Sequence, residues 1–114
     1  MKLEVGMYVR TKKGGYIGKI YNINEFREPS MMYAIDIPKA DDFIFMDKND
    51  FKASHNIIDL IEVGDYVNGV MVTEIKDGKP FKEDYNDPYY SYYFDDIYSI
   101  VTKEQFESME YKVC

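Results

Sequence analysis

The chain has 114 residues, a mass of 13.5 kDa and a net charge of -7. This length fits one compact domain, and either half alone would be marginally stable. No apolar run approaches the roughly 18 residues that a transmembrane helix needs, and the N-terminus lacks the apolar segment of a signal peptide. We therefore expect a cytoplasmic protein with no membrane partner. The single cysteine, Cys114, cannot form an intramolecular disulfide, which agrees with a reducing compartment. A homo-oligomer stays an alternative to a monomer.

A six-residue phrase occurs twice, as Glu4–Val9 and as Glu62–Val67. In both copies a glycine that can adopt a positive φ allows a sharp turn, and the Tyr-Val pair that follows starts a strand. The repeat predicts two small β-units in series, residues 1–61 and 62–114, which share one core.

The first unit has the pattern of short β-strands. Tyr8–Thr11 and Tyr16–Ile23 form a predicted hairpin around a Lys-Lys-Gly-Gly turn, and Gly18 indicates a bulge or a close approach of two backbones. Asp50–Asn56 is predicted to be a loop or a single helical turn. Further strands are predicted at Met31–Ile37, Phe43–Met46 and Ile57–Ile61.

These strands, which open with Gly-x-Tyr-Val and a glycine-containing hairpin, resemble an SH3-like barrel of the KOW type over Glu4–Ile61. Domains of that type often bind nucleic acid, and the predicted hairpin would present Arg10, Lys12, Lys13 and Lys19. Residues 1–61 hold nine Lys and Arg against nine Asp and Glu, and this neutrality weighs against nucleic-acid binding. A sponge for a nucleotide signal is another alternative, with Arg10, Lys12 and Lys13 on its phosphate and tyrosines stacked on its base.

The second unit combines strands with glycine turns. Tyr66–Asn68 and Val70–Ile75 are strands separated by an Asn-Gly turn, and Asp77-Gly78 predicts the next turn. Pro80–Pro88 is polar and is predicted to be irregular. Further strands are predicted at Tyr89–Phe94, Ile97–Val101 and Tyr111–Val113.

A capping box at Thr102–Gln105 predicts one helix, Lys103–Met109, with Phe106 on its apolar face. The predicted fold is therefore mainly β, with two small β-units in series, the first an SH3-like barrel, and one short C-terminal α-helix. Truncation of Phe106 to Ala is expected to cost ~3 to 5 kcal/mol if the ring is buried. The predicted core consists of Val5, Val9, Ile17, Ile20, Ile35, Phe45, Ile58, Leu60, Val67, Val72, Ile75, Ile100 and Phe106.

Enzyme motifs are absent from the sequence, so we expect a protein that is not an enzyme and holds no cofactor. One His and one terminal Cys exclude the usual zinc ligand sets, and no glycine-rich phosphate loop or nucleophile elbow occurs. His55, between Ser54 and Asn56, could belong to an active-site cluster, but a loop histidine before a strand is the simpler interpretation. Glu83–Asp87 offers oxygens for calcium without the spacing of a calcium loop.

The segment Glu83–Tyr98 interleaves acidic residues with six of the twelve tyrosines. Residues 62–114 hold five Lys against twelve Asp and Glu, so the whole acidic excess lies in the second unit. Because neighbouring strand residues alternate faces, some of these tyrosines are expected to be exposed, where they suit an interface with a basic partner. A β-core that packs Tyr is the alternative. The predicted partner-binding patch consists of Glu83, Asp84, Tyr85, Asp87, Tyr89, Tyr90, Asp95 and Asp96.

Ala53–Gly69 and Ser99–Val113 resemble the two ends of a module that recurs in small uncharacterised proteins of phages and prophages of low-GC Gram-positive bacteria. Small acidic proteins of such phages include anti-CRISPR proteins, some of which place carboxylates where a Cas protein holds nucleic-acid phosphate. The resemblance, which covers Ala53–Val113, implies an anti-defence inhibitor of a host protein such as a Cas effector. Lys79–Tyr93 interrupts the resemblance, and is where a target would be recognised.

Overall fold

The computed structural model describes residues 2–38, 42–84, 87–93 and 97–109, without the side chains of 83–84, 87–93 and 107–109. The described residues are mainly antiparallel β-structure with one short α-helix near the C-terminus, as the sequence predicts. The chain divides into two compact units after Leu60. The core that the sequence predicts the units to share stays a prediction.

The first unit contains one five-stranded sheet. Its strands are β1 (Tyr8–Thr11), β2 (Ile17–Ile23), β3 (Tyr33–Asp36), β4 (Ile44–Met46) and β5 (Phe51–Ser54). They pair antiparallel in the order β4-β3-β2-β1-β5, so the chain passes from strand to neighbouring strand until β5 returns to lie beside β1. The SH3-like barrel stays a prediction for this unit.

The core of the first unit is built from apolar side chains of neighbouring strands. The rings of Tyr33 and Phe51 meet edge to face, with centroids 5.5 Å apart. Each large apolar side chain that leaves water stabilises the fold by about 1.5 to 3 kcal/mol. The buried cluster consists of Met7, Val9, Ile20, Tyr33, Ile35, Ile37 and Phe51.

Two element assignments at the end of the first unit are wrong. The predicted loop Asp50–Asn56 contains β5, whose residues pair with β1 from Tyr8↔Ser54 to Thr11↔Phe51. The predicted strand Ile57–Ile61 is a 3-10 turn, Ile57–Leu60, because the Asn56 side chain accepts a hydrogen bond from the Ile58 amide at 3.1 Å and caps the turn. Other 3-10 turns lie at Pro29–Met31 and Lys48–Asp50.

Gly18 marks a close approach of β2 and β3, as the sequence predicts. A Cβ atom at this position would lie 2.4 Å from the Asp36 carbonyl oxygen, so no other residue fits without a backbone shift. The bulge itself lies further along, where the register between the two strands shifts between Ile20 and Asn22. It places Tyr21 between two paired positions.

The second unit contains two three-stranded sheets and the helix. The strands are β6 (Tyr66–Val67), β7 (Val70–Met71), β8 (Glu74–Lys76), β9 (Lys79–Asp84), β10 (Asp87–Tyr93) and β11 (Ile100–Val101), and α1 is Lys103–Met109. The sheet orders are β11-β6-β7 and β10-β9-β8. A small core packs around Ile61, Val67 and Val72.

The predicted glycine turns of the second unit are confirmed. Asn68 and Asp77 have φ of 53° and 52°, each followed by a glycine with positive φ, as a two-residue hairpin turn of type I′ requires. The predicted irregular segment Pro80–Pro88 is wrong at all of its described residues, because β9 continues to Asp84 and β10 begins at Asp87. The predicted strand Ile97–Val101 shortens to β11.

The repeated phrase folds in the same way in both units. Gly6 and Gly64 have φ of 93° and 97°, a conformation that favours glycine. The Gly6 amide donates to Ile20 and the Ile20 amide donates to Met7; Gly64, Val72 and Asp65 repeat this pair of bonds at 2.7 to 2.9 Å. Each unit therefore begins with one turn that joins its first strand to a neighbouring segment.

The fourth residue of the phrase is Met7 in the first unit and Asp65 in the second, and it occupies the same position in both turns. Met7 and Asp65 are both fully buried. The Met7 Sδ accepts from the Glu4 amide at 3.1 Å, and the Asp65 Oδ2 accepts from the Glu62 amide at 2.7 Å. The second carboxylate oxygen of Asp65 also accepts from the Lys103 amide at 2.9 Å, so Asp65 ties the turn to the start of α1.

The predicted helix and its capping box are confirmed. Thr102 Oγ1 accepts from the Gln105 amide at 3.3 Å, and Gln105 Oε1 accepts from the Thr102 amide at 3.2 Å. Phe106 is wrong as a core residue: the residue is 46% exposed, and its ring stacks on that of Tyr66, with centroids 4.6 Å apart. The expected loss of ~3 to 5 kcal/mol on truncation required a buried ring, and that premise does not hold.

The rest of the predicted core is partly confirmed. Val5, Phe45 and Ile75 are exposed, because Val5 lies in the turn of the repeated phrase and the other two lie on strands with an open face or edge. Ile17, Ile58 and Ile100 are half-buried. The confirmed members are Val9, Ile20, Ile35, Leu60, Val67 and Val72.

Candidate functional site

Residues 83–84 and 87–93 of the acidic tyrosine segment belong to a β-hairpin formed by β9 and β10. The two strands pair antiparallel, with Asp84 opposite Asp87 at the closed end and Glu83 opposite Ser91 after a register shift. β10 is the outermost described strand of its sheet, since β9 lies between it and β8. The pairing of Asp84 with Asp87 places two carboxylate-bearing residues on directly opposed positions, where like charges destabilise a strand pair.

The described residues at the base of this hairpin are firmly held. The Phe81 carbonyl accepts from the Thr73 amide at 3.0 Å and from the Thr73 hydroxyl at 3.4 Å. Lys76 Nζ lies 5.9 Å from the centroid of the Phe81 ring, within the range of a cation–π contact. Pro80 is buried. A fixed base lowers the conformational entropy that the hairpin would lose on binding.

The predicted patch falls only partly on described backbone. Tyr85, Asp95 and Asp96 lie outside the described residues. Glu83, Asp84, Asp87, Tyr89 and Tyr90 belong to β9 and β10, and their side chains lie outside the description. The division of the tyrosines between the two faces therefore stays a prediction.

The cation set predicted for phosphate loses its strongest member. Arg10 is 2% exposed, because β1 lies between β2 and β5, and its Nη1 donates to the Leu60 carbonyl at 3.0 Å. Arg10 therefore holds the end of a 3-10 turn and is wrong as a surface cation. Lys12 and Lys13 are exposed in the hairpin turn. Lys19 Nζ lies 4.9 Å from the centroid of the Tyr8 ring.

The run Ser54–Asn56 caps a turn. The Ser54 hydroxyl donates to Asp59 Oδ2 at 2.6 Å and accepts from the Asn56 amide at 3.1 Å. His55 Nε2 lies 3.6 Å from Glu4 Oε2, and both side chains are largely exposed. The arrangement favours the simpler interpretation of His55 as a loop residue.

An aromatic groove on the first unit was missed by the sequence analysis. The rings of Tyr21 and Phe43 stack with centroids 4.2 Å apart and planes 19° apart. Together with Phe45 and Met31 they line a groove of about 190 Å³, with the buried Ala34 among its lining residues. Arg27, Asn22, Asn24 and Met32 complete the lining.

Strand alternation explains why Phe45 lines this groove. Phe45 pairs with Ala34, and the next residue, Met46, packs against the core of the first unit. Since neighbouring residues of a strand lie on opposite faces, Phe45 lies on the face away from that core. The spacing of Phe43 and Phe45 was the available signal, because both rings fall on one face of any strand that contains them.

Comparisons of the chain with protein-family models, with curated proteins and with solved structures gave no match. The resemblance of Ala53–Val113 to small phage proteins stays a prediction. Within the described residues, no helix has the length and apolar character that crossing a membrane requires.

Proposed function

We propose that this chain is a binding protein without catalytic activity, whose acidic tyrosine hairpin docks on a basic surface of another protein. The observation that carries the proposal is the register of β9 and β10, which sets Asp84 opposite Asp87. Two carboxylates on opposed positions repel each other in the free protein, and a cationic partner relieves that repulsion. The repulsion therefore lowers the stability of the free chain, and its relief adds to the free energy of binding.

The distribution of charge supports the same partner. The acidic excess of the chain lies entirely in residues 62–114. A surface potential of one sign speeds the encounter with a surface of the opposite sign and rejects wrong partners, while close-packed aromatic residues supply most of the affinity. The hairpin holds both kinds of residue, acidic and tyrosine.

Nucleic-acid-handling enzymes offer the basic surface that this hairpin would fit. A site that holds phosphates with Lys and Arg also attracts carboxylates, so an acidic hairpin competes there with nucleic acid. With the predicted resemblance to phage proteins, we propose a host defence enzyme such as a Cas effector as the target and an anti-defence, anti-CRISPR-like inhibitor as the role. Its place of action would be the cytoplasm of an infected bacterium.

The proposal is tested by capture from the lysate of a bacterium that carries a CRISPR system. The test variant replaces Asp84, Asp87, Asp95 and Asp96 with Asn. The matched control makes the same change in charge on exposed acids of the first unit: Glu25→Gln, Glu28→Gln, Asp36→Asn and Asp50→Asn.

We expect wild type and control to retain the same nucleic-acid-handling protein. The hairpin variant should bind it about fourfold to several hundredfold more weakly, since four exposed pairs at roughly 0.2 to 1 kcal/mol each contribute roughly 0.8 to 4 kcal/mol. Added salt should lower the affinity mainly through the association rate. Equal recovery by the hairpin variant and the control, or recovery of no protein by wild type, would show that the acidic hairpin is only a solvated surface.

A further inference from the structure

The outer edge of β4 is open within the described part of the first unit. β4 is the last strand of the five-stranded sheet and pairs there with β3 alone. Edge strands usually carry a Lys, a Pro or a bulge that prevents pairing with another chain. Phe43–Met46 contains large apolar residues throughout, and Ile44 and Phe45 are 37% and 47% exposed. This edge is therefore suited to pairing with a further strand.

An apolar surface extends from this edge across the neighbouring strands. It includes the stacked rings of Tyr21 and Phe43, together with Phe45 and the exposed Met31, which line the same groove. Contiguous exposed apolar surface of this kind marks an interaction site. The open edge and the apolar surface thus belong to one interface.

We propose that the occupant of this interface is a second copy of the chain, whose β4 pairs antiparallel with the first across a two-fold axis at Phe45. In that register Phe45 lies opposite its own copy, and Ile44 lies opposite Met46 of the second copy. Asp42 and Lys48 stand three residues to either side of Phe45. Both lie just beyond the strand Ile44–Met46, with Lys48 at the start of a 3-10 turn, so each Asp42 comes near Lys48 of the other copy, twice in the dimer, as a self-complementary interface requires.

Other strand arrangements lose this match of charges. A shift by one residue brings Asp42 opposite Asp47 of the second copy in one direction and opposite the uncharged Asn49 in the other, and an in-register parallel pair brings each charged residue beside its own kind. Like charges on opposed strand positions are destabilising. The charges around β4 thus select both the direction and the register of the pair.

The net charge of the units favours contact through the first unit. Residues 1–61 are balanced, with nine Lys and Arg against nine Asp and Glu, whereas residues 62–114 carry the whole excess of negative charge. Two copies that met through the second unit would repel each other. Pairing at β4 places the two aromatic grooves side by side.

A charge exchange tests the register directly. Sedimentation velocity over a wide range of concentrations should show wild type as a reversible dimer. Asp42→Lys and Lys48→Asp, each alone, should weaken dimerisation by about tenfold or more, because each replaces two attractive contacts with two repulsive ones. The double variant Asp42→Lys/Lys48→Asp should restore dimerisation to within about threefold of wild type. Asp36→Lys changes an exposed residue at the C-terminal end of β3. It is the matched control and should leave the dimer unchanged.

The edge itself is tested by Ile44→Lys, which places a charge on the open strand. This variant should be monomeric, while Ile75→Lys, at an exposed isoleucine of β8, should dimerise like wild type. Amide hydrogen exchange of Ile44–Met46 should slow as the wild-type concentration rises, and this measurement does not depend on any variant.

A wild-type chain that stays monomeric at every concentration overturns the proposal and leaves the interface to a different partner. A dimer that ignores both the charge exchange and Ile44→Lys overturns it as well, because the contact would then lie elsewhere. Neither result bears on capture by the acidic hairpin, which belongs to the second unit.

Discussion

At the scale of single residues, Met7 and Asp65 show how one position can serve two purposes. Both side chains are buried in the turn of the repeated phrase, and both accept a hydrogen bond from the first residue of that phrase. A thioether is a weak acceptor and completes an apolar core, whereas a carboxylate has two oxygens and can hold a second donor. That second oxygen brings the start of α1 to the turn in the second unit.

Replacement of Asp65 by Ala should lower the free energy of unfolding by at least about 2 kcal/mol. The reason is that the amides of Glu62 and Lys103 would lose their acceptor, and a buried donor without a partner costs roughly 1 to 3 kcal/mol. Urea unfolding followed by circular dichroism measures the change. Asp65→Met, which copies the first unit, should recover part of the loss, whereas the exposed Asp36→Ala should change stability by less than about 0.5 kcal/mol. A loss below about 1 kcal/mol in Asp65→Ala would contradict the assigned role.

At the scale of elements, α1 is specified by its own sequence and held by its first turn. Thr102 is fully buried, forms the reciprocal bonds of the capping box with Gln105 and precedes the residue that Asp65 holds. Lys103 Nζ also lies 2.8 Å from Glu62 Oε1. Phe106 stacks on Tyr66 but is not buried. The first turn of α1 therefore contributes more to the position of the helix than the Phe106 ring does.

Thr102→Ala should therefore destabilise the second unit by about 0.5 to 2 kcal/mol, the usual cost of losing an N-cap. Gln105→Ala removes the other half of the box and should cost less, because Thr102 would still cap the Gln105 amide. Helical chemical shifts of Lys103–Met109 should weaken in the first variant more than in the second. Equal effects of the two substitutions, or none in Thr102→Ala, would show that the box does not hold the helix.

At the scale of the whole molecule, the first unit has the paired sheet and the buried core that a small independently folding domain requires. Its sheet has β5 beside β1, its core draws on β1, β2, β3 and β5, and the Arg10 bond to Leu60 lies inside it. The second unit has a smaller described core around Ile61, Val67 and Val72. The first unit is therefore the better candidate for independent folding.

A fragment of residues 1–62, which keeps the Leu60 carbonyl within a peptide bond, should fold by itself with a β-type circular dichroism spectrum and a cooperative melt. Its melting temperature is expected to lie below that of the full chain, since a fragment of this size buries a smaller share of its surface. Arg10→Met within the fragment should lower the melting temperature further, because it removes the donor to Leu60. A fragment that shows no cooperative transition would contradict this prediction and indicate that the units fold only together.

The local features of this protein can be predicted from residues that are close together in the sequence. The turns at Gly6 and Gly64, the Asn68 and Asp77 hairpins and the capped helix were all predicted, because a positive φ or a cap depends on residues within a few positions of each other.

The burial of individual side chains, in contrast, follows from the pairing of strands that are distant in the sequence. Arg10 is buried because β5, more than forty residues away in the sequence, pairs with β1. Phe45 is exposed because β4 ends the sheet and Met46 takes the side that faces the core. β9 forms where a polar segment with two prolines hid the strand pattern, since its pairing partners β8 and β10 supply the hydrogen bonds. Burial and pairing depend on which strands meet, and distant parts of the chain decide that.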